Sequence, residues 1–256
     1  MGTPDAARPG GEEIAELDHL LAVTSDLEQR IAIIRSAIAG RIAFSTSLSI
    51  EDQAVLHAIA TPKADIDVFT LDTGRHFPET LDVIAVSTAR YGMPIRIAFP
   101  EAQDVEELVA RDGINGFRDS IEARKACCDV RKVRPLRHQL AGASGWITGL
   151  RRDQSGGRNN TPFATWDNDF QLAKFNPIAD WTLEQLETYV DDNSIPINAL
   201  HAKGYPSIGC QPCTRATEAW EDIRAGRWWW ENQDGKECGL HNRPANFKHS
   251  SGKTPA

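Results

Sequence analysis

Arg41-Ile-Ala-Phe-Ser45-Thr-Ser47-Leu-Ser49-Ile-Glu51-Asp52 is the stretch on which the fold turns. Arg41 to Ser45 is short and apolar enough for a strand. Ser45 to Asp52 is a polar turn, and Gln53 to Ala60 has the apolar content of a helix. The same strand-then-helix unit recurs downstream. Ile66 to Leu71 predicts a second strand and Phe77 to Arg90 a helix; Ile95 to Phe99 predicts a third strand and Val105 to Arg111 a short helix. Ser144 to Leu150 and Ala173 to Ile178 add a fourth and a fifth strand. Upstream, Leu17, Leu20, Leu21, Leu27, Ile31, Ile34 and Ile38 recur at helical spacing over Leu17 to Ala39, with Gly40 placed to close one helix. Alternation of this kind predicts an α/β fold: a parallel sheet with helices on both faces. Beyond Ile195 the chain is rich in Gly, Pro and Trp and predicts an irregular C-terminal segment. Ligands of such sheets sit beyond the carboxyl ends of the strands. Chemistry is therefore expected in the loops at Ser45–Asp52, Leu71–Arg75 and Gly149–Gln154.

Composition narrows the class. The chain has 256 residues, 41% hydrophobic and 25% charged, which is globular and long enough for one α/β domain or two small ones. A net charge of −8 and a pI near 5.4 argue against a nucleic-acid partner. No run approaches the roughly 18 apolar residues of a membrane span, so no membrane partner is expected. Residues 1–16 are polar and acidic and read as a flexible tail without a secretory signal. Five cysteines are too few for a disulfide scaffold, and the expected location is cytoplasmic.

The serine-rich loop at 45–52 has two readings. Backbone N–H groups at a helix start, with Ser hydroxyls, can cradle a phosphate; equally, Ser49 or Asp52 can simply cap the helix. Asp72-Thr73-Gly74 suits an ordinary turn, while Arg75 could reach a phosphate or a carboxylate. His57 reads as a core or surface histidine.

The cysteines say more. Four of them form two close pairs, Cys127-Cys128 and Cys210-Gln-Pro-Cys213, with 81 residues between the pairs. Only tertiary folding can bring them together. Four thiolates suit a structural zinc ion or an iron–sulfur cluster. Zinc usually draws on Cys-x2-4-Cys turns, which an adjacent pair does not match, and a vicinal disulfide is disfavoured in a reducing compartment. Arg124, Lys125, Arg131, Lys132, Arg134 and Arg137 crowd the first pair. Lys132 lies four residues beyond Cys128, over the same helical face, and is the cation least explained by solvation. Cys238 stands apart, in Lys236-Glu-Cys238-Gly-Leu-His241. Neighbouring Lys236 and His241 favour its thiolate and make it a candidate nucleophile. Arg224, Arg227 and Trp228-Trp-Trp230 form a cationic, aromatic patch upstream of it.

Four motifs together carry a resemblance. They are Cys127-Cys128 followed by Arg131-Lys132-Val-Arg-Pro-Leu136; Thr148-Gly-Leu-Arg-Arg-Asp-Gln-Ser155; Cys210-Gln-Pro-Cys213 with Thr214-Arg215; and Glu237-Cys-Gly-Leu-His241. From about Arg41 to Asn242 the chain resembles the assimilatory sulfonucleotide reductases, and within them the cluster-containing adenosine 5′-phosphosulfate (APS) reductases of bacteria. The resemblance implies an adenine-nucleotide hydrolase-like fold. It implies one 4Fe-4S cluster on Cys127, Cys128, Cys210 and Cys213. It places Lys132, Arg158, Arg224, Arg227 and His241 at the phosphosulfate. Ser45, Ser47, Ser49, Asp52, Leu71, Thr73, Arg75 and Gly149 would face the nucleotide, and Cys238 would be the nucleophile. The corresponding layout is a reductase domain over 17–234 and a mobile tail over 235–256. The implied reaction is reduction of APS to sulfite and AMP through a cysteine S-sulfonate, in sulfate assimilation and cysteine biosynthesis. The chain has no sixth cysteine to resolve that intermediate, so an external dithiol, thioredoxin or glutaredoxin, is the expected partner. A homo-oligomer is compatible with this reading. Two alternatives stand beside it: a reductase of the 3′-phosphorylated nucleotide PAPS on the same scaffold, and a nucleotide-binding protein with structural zinc. An ATP pyrophosphatase-type enzyme would need a Gly-Gly that the 45–52 loop lacks.

Overall fold

Six strands form one sheet in the computed structural model, which describes residues 10–154 and 156–231. They are β1 (Ile42–Thr46), β2 (Asp67–Leu71), β3 (Arg96–Ala98), β4 (Gly145–Ile147), β5 (Ala164–Asp167) and β6 (Leu172–Phe175). Their spatial order is β3-β2-β1-β4-β6-β5, and every neighbouring pair is parallel except β5 with β6. The α-helices are α1 (Gly11–Val23), α2 (Leu27–Ala37), α3 (Ile50–Ala60), α4 (Pro78–Tyr91), α5 (Ala102–Asp112), α6 (Ile121–Cys128), α7 (Arg134–Leu140) and α8 (Leu183–Asp192). Among the described residues, no helix is long and apolar enough to cross a membrane.

Strand alternation explains the layering. Ile42 and Phe44 of β1 face a core shared with Val68, Ile147 and Phe175, covered by Ile31 and Ile34 of α2 and by Val55 and Ile59 of α3. The intervening Ala43 points the other way, into a smaller core with Phe69, Trp146, Leu136 and Leu140, the last two from α7. Both faces of the sheet are therefore covered, and each fully buried Ile or Phe side chain contributes on the order of 1.5–3 kcal/mol. The strand order reverses between β1 and β4. The chain runs outward from β1 to β2 and β3, then returns to the other side of β1. At such a switch point the loops after the two central strands splay apart and leave a crevice. Those loops are the serine-rich turn after β1 and the Thr148–Gly149 turn after β4.

Several sequence expectations shift. The single helix over Leu17–Ala39 is two helices, and the first of them starts at Gly11 rather than Leu17, inside the expected tail. Asp26 makes the break: its carboxylate accepts the Gln29 N–H at 2.7 Å, capping α2 afresh. Gly40 has a φ of +86° but lies beyond that helix's C-cap, Ile38. β5 and α8 are additions. Thr182 and Gln185 form a reciprocal capping box that marks the start of α8. From Asn193 to Glu231 the chain is short 3-10 turns and loops, as expected of the irregular segment.

Candidate active site

The turn after β1 is shaped by one carboxylate. Ser47 donates both its N–H and its hydroxyl to Asp52 Oδ2, each at 2.6 Å. Leu48 must then adopt a left-handed φ of +62°, which costs an L-residue on the order of 1–2 kcal/mol. Its buried side chain and an N–H bond to the Thr46 hydroxyl at 3.0 Å hold it there. Ser49 caps α3 through the Asp52 N–H. The turn is thus both a cap and an opening of the crevice. Asp52 is buried, and burial pushes its pKa up to about 6; the Ser47 hydroxyl and N–H bonds restrain the rise, and Glu51 beside it adds to it. Gly149 packs directly on this group. A Cβ there would lie 2.3 Å from Asp52 Oδ1, so the wall has room only for glycine. Ser45 is fixed from behind by the Trp146 indole, which donates to its hydroxyl at 2.8 Å.

The crevice continues into a cleft between these turns, Leu71, and the segments at Pro206–Gly209 and Ile223–Trp228. Ser45, Ser47, Ser49, Asp52, Leu71 and Gly149 all line it. So do the four cations Lys132, Arg158, Arg224 and Arg227. Arg227 is buried and poorly satisfied: it reaches the Ser207 hydroxyl at 3.4 Å and the Ile208 carbonyl at 3.3 Å, and its Nε has no partner. It lies against Gly209, where a Cβ would come within 2.3 Å of its guanidinium. A buried cation with such weak acceptors fits a cleft that receives an anion. Gln154, Trp146 and His76 also line the cleft and were not singled out in the sequence. Gln154 accepts from Arg158 and from the Arg151 N–H at 3.2 Å, and so braces the Arg158 segment.

The four paired cysteines line one small cavity on the far side of Lys132, together with Arg75, Arg124 and Arg131. The first pair ends α6. The chain then continues through a π-helical turn, Asp129–Val133, into α7. Pro135 explains the widening. It has no N–H for the Arg131 carbonyl, and its ring crowds that carbonyl in an α-turn. The Arg134 N–H bonds instead to Asp129, five residues back. Arg131 and Lys132 sit on this wide turn, and Lys132 lines both the cleft and the cysteine cavity.

Thr73 and Arg75, expected from the resemblance to face the nucleotide, are placed differently from the other residues of that set. They do not line the cleft; they tie the two cysteine pairs together. Arg131 donates to the Thr73 carbonyl at 2.7 Å, the Thr73 hydroxyl lies 3.3 Å from Cys210 Sγ, and the Gln211 N–H donates to the Arg75 carbonyl at 2.8 Å. The Arg75 guanidinium packs over Phe117 and donates to the Ile114 carbonyl. The thiols respond differently to this setting. Burial pushes Cys127 up, and pushes Cys213 up to about 11 with Cys210 adding to the effect. Burial also acts on Cys210, but Lys132, the Thr73 hydroxyl, Arg227 and Arg131 outweigh it and bring that thiol below its ordinary value. Among the described residues, no three His, Cys, Asp or Glu side chains converge tightly enough for a single metal ion. Cys238 and His241 lie outside the described residues.

Fold and site define the class: an α/β protein with a cation-lined crevice at the switch point of its sheet and a four-cysteine cavity against it. The fold is that of the phosphoadenylyl-sulfate (PAPS) reductase from Candida auris, solved as a phosphate complex, with a TM-score of 0.69 and 24% identity over 82% of this chain and 100% of that one. The chain belongs to the phosphoadenosine phosphosulfate reductase family, whose domain profile matches residues 41–216. Relatives named adenosine 5′-phosphosulfate reductase include one from Agrobacterium fabrum, 52% identical over 90% of this chain and 87% of the relative. Another, from Allochromatium vinosum, is 48% identical over 79% of each.

Proposed function

We propose that this chain reduces APS to sulfite and AMP, with Cys238 as nucleophile, a 4Fe-4S cluster on the paired cysteines, and a thioredoxin-type dithiol as reductant. The observation that carries the reading is Lys132, a cation in the wall shared by the anion cleft and the cysteine cavity. The names of the relatives, at about half identity over most of the chain, supply the substrate.

The paired cysteines fit the cluster. They meet around one cavity with cations on its walls, a setting that suits an anionic group held by four thiolates. Four thiolates on one zinc would each lie about 2.3 Å from it and converge tightly, whereas a cubane spreads one thiolate to each iron. When bound, the cluster would supply a fixed negative centre against Lys132 and no electrons to the reaction.

The residues of the chain do the rest. The β1 and β4 turns hold the nucleotide, and Lys132, Arg158, Arg224 and Arg227 offset charge on the phosphosulfate. Without that offset, an anionic ester repels a thiolate. Cys238 Sγ attacks the sulfur, the bond from sulfur to the bridging oxygen breaks, and AMP leaves with that oxygen. The product is Cys–S–SO3⁻. One thiolate of the external dithiol then attacks Cys238 Sγ and expels sulfite. Its second thiol displaces Cys238, leaving the dithiol as a disulfide and the enzyme thiol restored. Two electrons pass from dithiol to sulfur.

The test is sulfite release from APS and from PAPS with reduced thioredoxin, alongside iron and acid-labile sulfide analysis. The expected result is turnover of APS, four irons per chain, and a Cys238→Ser variant that keeps iron and AMP binding but releases no sulfite. Preference for PAPS, zinc in place of iron, or a turning-over Ser variant each overturns the corresponding part.

A further inference from the structure

Arg124 and Glu231 form a buried ion pair beside the cysteine cavity. Their side chains are 1% and 5% exposed. Arg124 donates from Nε and Nη2 to the two carboxylate oxygens of Glu231, at 2.6 and 2.9 Å. Each partner belongs to a strategic segment. Arg124 lies on α6, one turn before Cys127 and Cys128, and lines their cavity. Glu231 follows Trp228, whose ring lies against both the Arg124 guanidinium, at 4.5 Å, and that of Arg227, at 4.7 Å. The backbone completes the clamp. Glu231 donates its N–H to the Trp228 carbonyl at 2.9 Å, and Trp228 donates to the Cys213 carbonyl at 3.1 Å. Trp228 does this at a φ of +43°, a conformation a bulky residue holds only when its surroundings impose it.

Stability alone is a poor reason for this pair. Removing two charges from water costs several kcal/mol per ion, and an apolar pair of similar volume is commonly as stable. A bidentate guanidinium–carboxylate pair accepts only a narrow geometry, and so fixes register. What it registers here is the exit of the chain. Cys238 lies seven residues beyond Glu231, within at most about 25 Å of extended chain.

We propose that Arg124 and Glu231 are a positioning pair, fixing the point from which the segment bearing Cys238 departs relative to the helix bearing Cys127 and Cys128. The described end of the chain and the helix that carries the first cysteine pair are thereby held in one frame. The inference rests on the reading of Cys238 as nucleophile.

The experiment compares wild type, Glu231→Gln and Glu231→Asp. Iron content, AMP affinity, kcat, KM and the rate of first-turnover S-sulfonate formation on Cys238 are measured without and then with dithiol. For Glu231→Gln, iron content and AMP affinity should stay within twofold of wild type. Both kcat and the rate of sulfonate formation should fall tenfold or more at unchanged KM. Glu231→Asp, which keeps the charge, should recover part of the loss and covers the case in which the Gln variant fails to fold. Sulfonate formation at the wild-type rate in Glu231→Gln overturns the proposal, as does activity lost only in proportion to iron, which would make the pair a brace of the cavity. If wild type releases sulfite while its adduct maps to another cysteine, the nucleophile reading falls and takes this proposal with it.

Discussion

Lys132 and Arg137 carry the same charge about one turn apart on one helical run, yet only Lys132 faces a cavity. Arg137 is exposed, donates to the Asp169 carbonyl at 3.0 Å and packs over Phe170. Lys132→Ala should lower kcat/KM for APS by about 100-fold, the scale of losing a transition-state charge contact, and Arg137→Ala by less than twofold. Equal small effects would leave Lys132 without a special role. Asp52 makes a prediction about pH. Its folded pKa of about 6 is above the ordinary 3.8. The proton is thus held more tightly in the folded chain, and the associated stability is fully present below pH 3.8 and lost as pH rises through 6. Asp52→Asn should remove this window. Between pH 4 and 6, the unfolding free energy of wild type should therefore fall relative to the Asn variant, by a total of up to about 3 kcal/mol. Denaturant melts of both proteins across that range check it, and a constant difference would refute it.

At the scale of elements, the wide turn between α6 and α7 is the informative feature. Pro135 forces it, and Arg131 and Lys132 ride on it. Pro135→Ala restores an N–H for the Arg131 carbonyl and lets a regular α-helix run through. Thermal stability should hold or rise, by at most about 3 kcal/mol. We expect kcat/KM to drop about tenfold as Lys132 turns from the cleft. Unchanged kcat/KM would show that the turn does not aim it. Sequence alone placed Lys132 on the Cys128 face by α-helical spacing, and the structure gives it that neighbourhood by a different winding. The strand–helix alternation was legible because each buried strand is a short apolar run with polar ends. The break at Asp26 was not, since the apolar spacing carries on across it and only the cap betrays it. β5 is an edge strand whose Thr165, Trp166 and Asp167 are half-buried, so it lacks an apolar signature. The Thr182-x-x-Gln185 capping box was present in the sequence and would have revealed α8. Thr73 and Arg75 show the limit: a loop at the carboxyl end of a strand can turn toward either neighbour, and only hydrogen bonds to Arg131, Cys210 and Gln211 decide which.

For the molecule as a whole, the sheet order separates what is made together from what works together. β1 and β4 are adjacent in space but separated in sequence by β2, β3 and five α-helices, and the two cysteine pairs are separated by 81 residues. A ribosome adding about 5–20 residues per second delivers Cys210 roughly 4–16 s after Cys128. In that interval the nascent chain carries two adjacent thiols with half of their final surroundings. Reactive oxidants then have access to groups that the finished protein shelters. Growth conditions that slow elongation should therefore lengthen the period of oxidative vulnerability, and the yield of intact protein depends on the tempo of its synthesis as well as on its final stability.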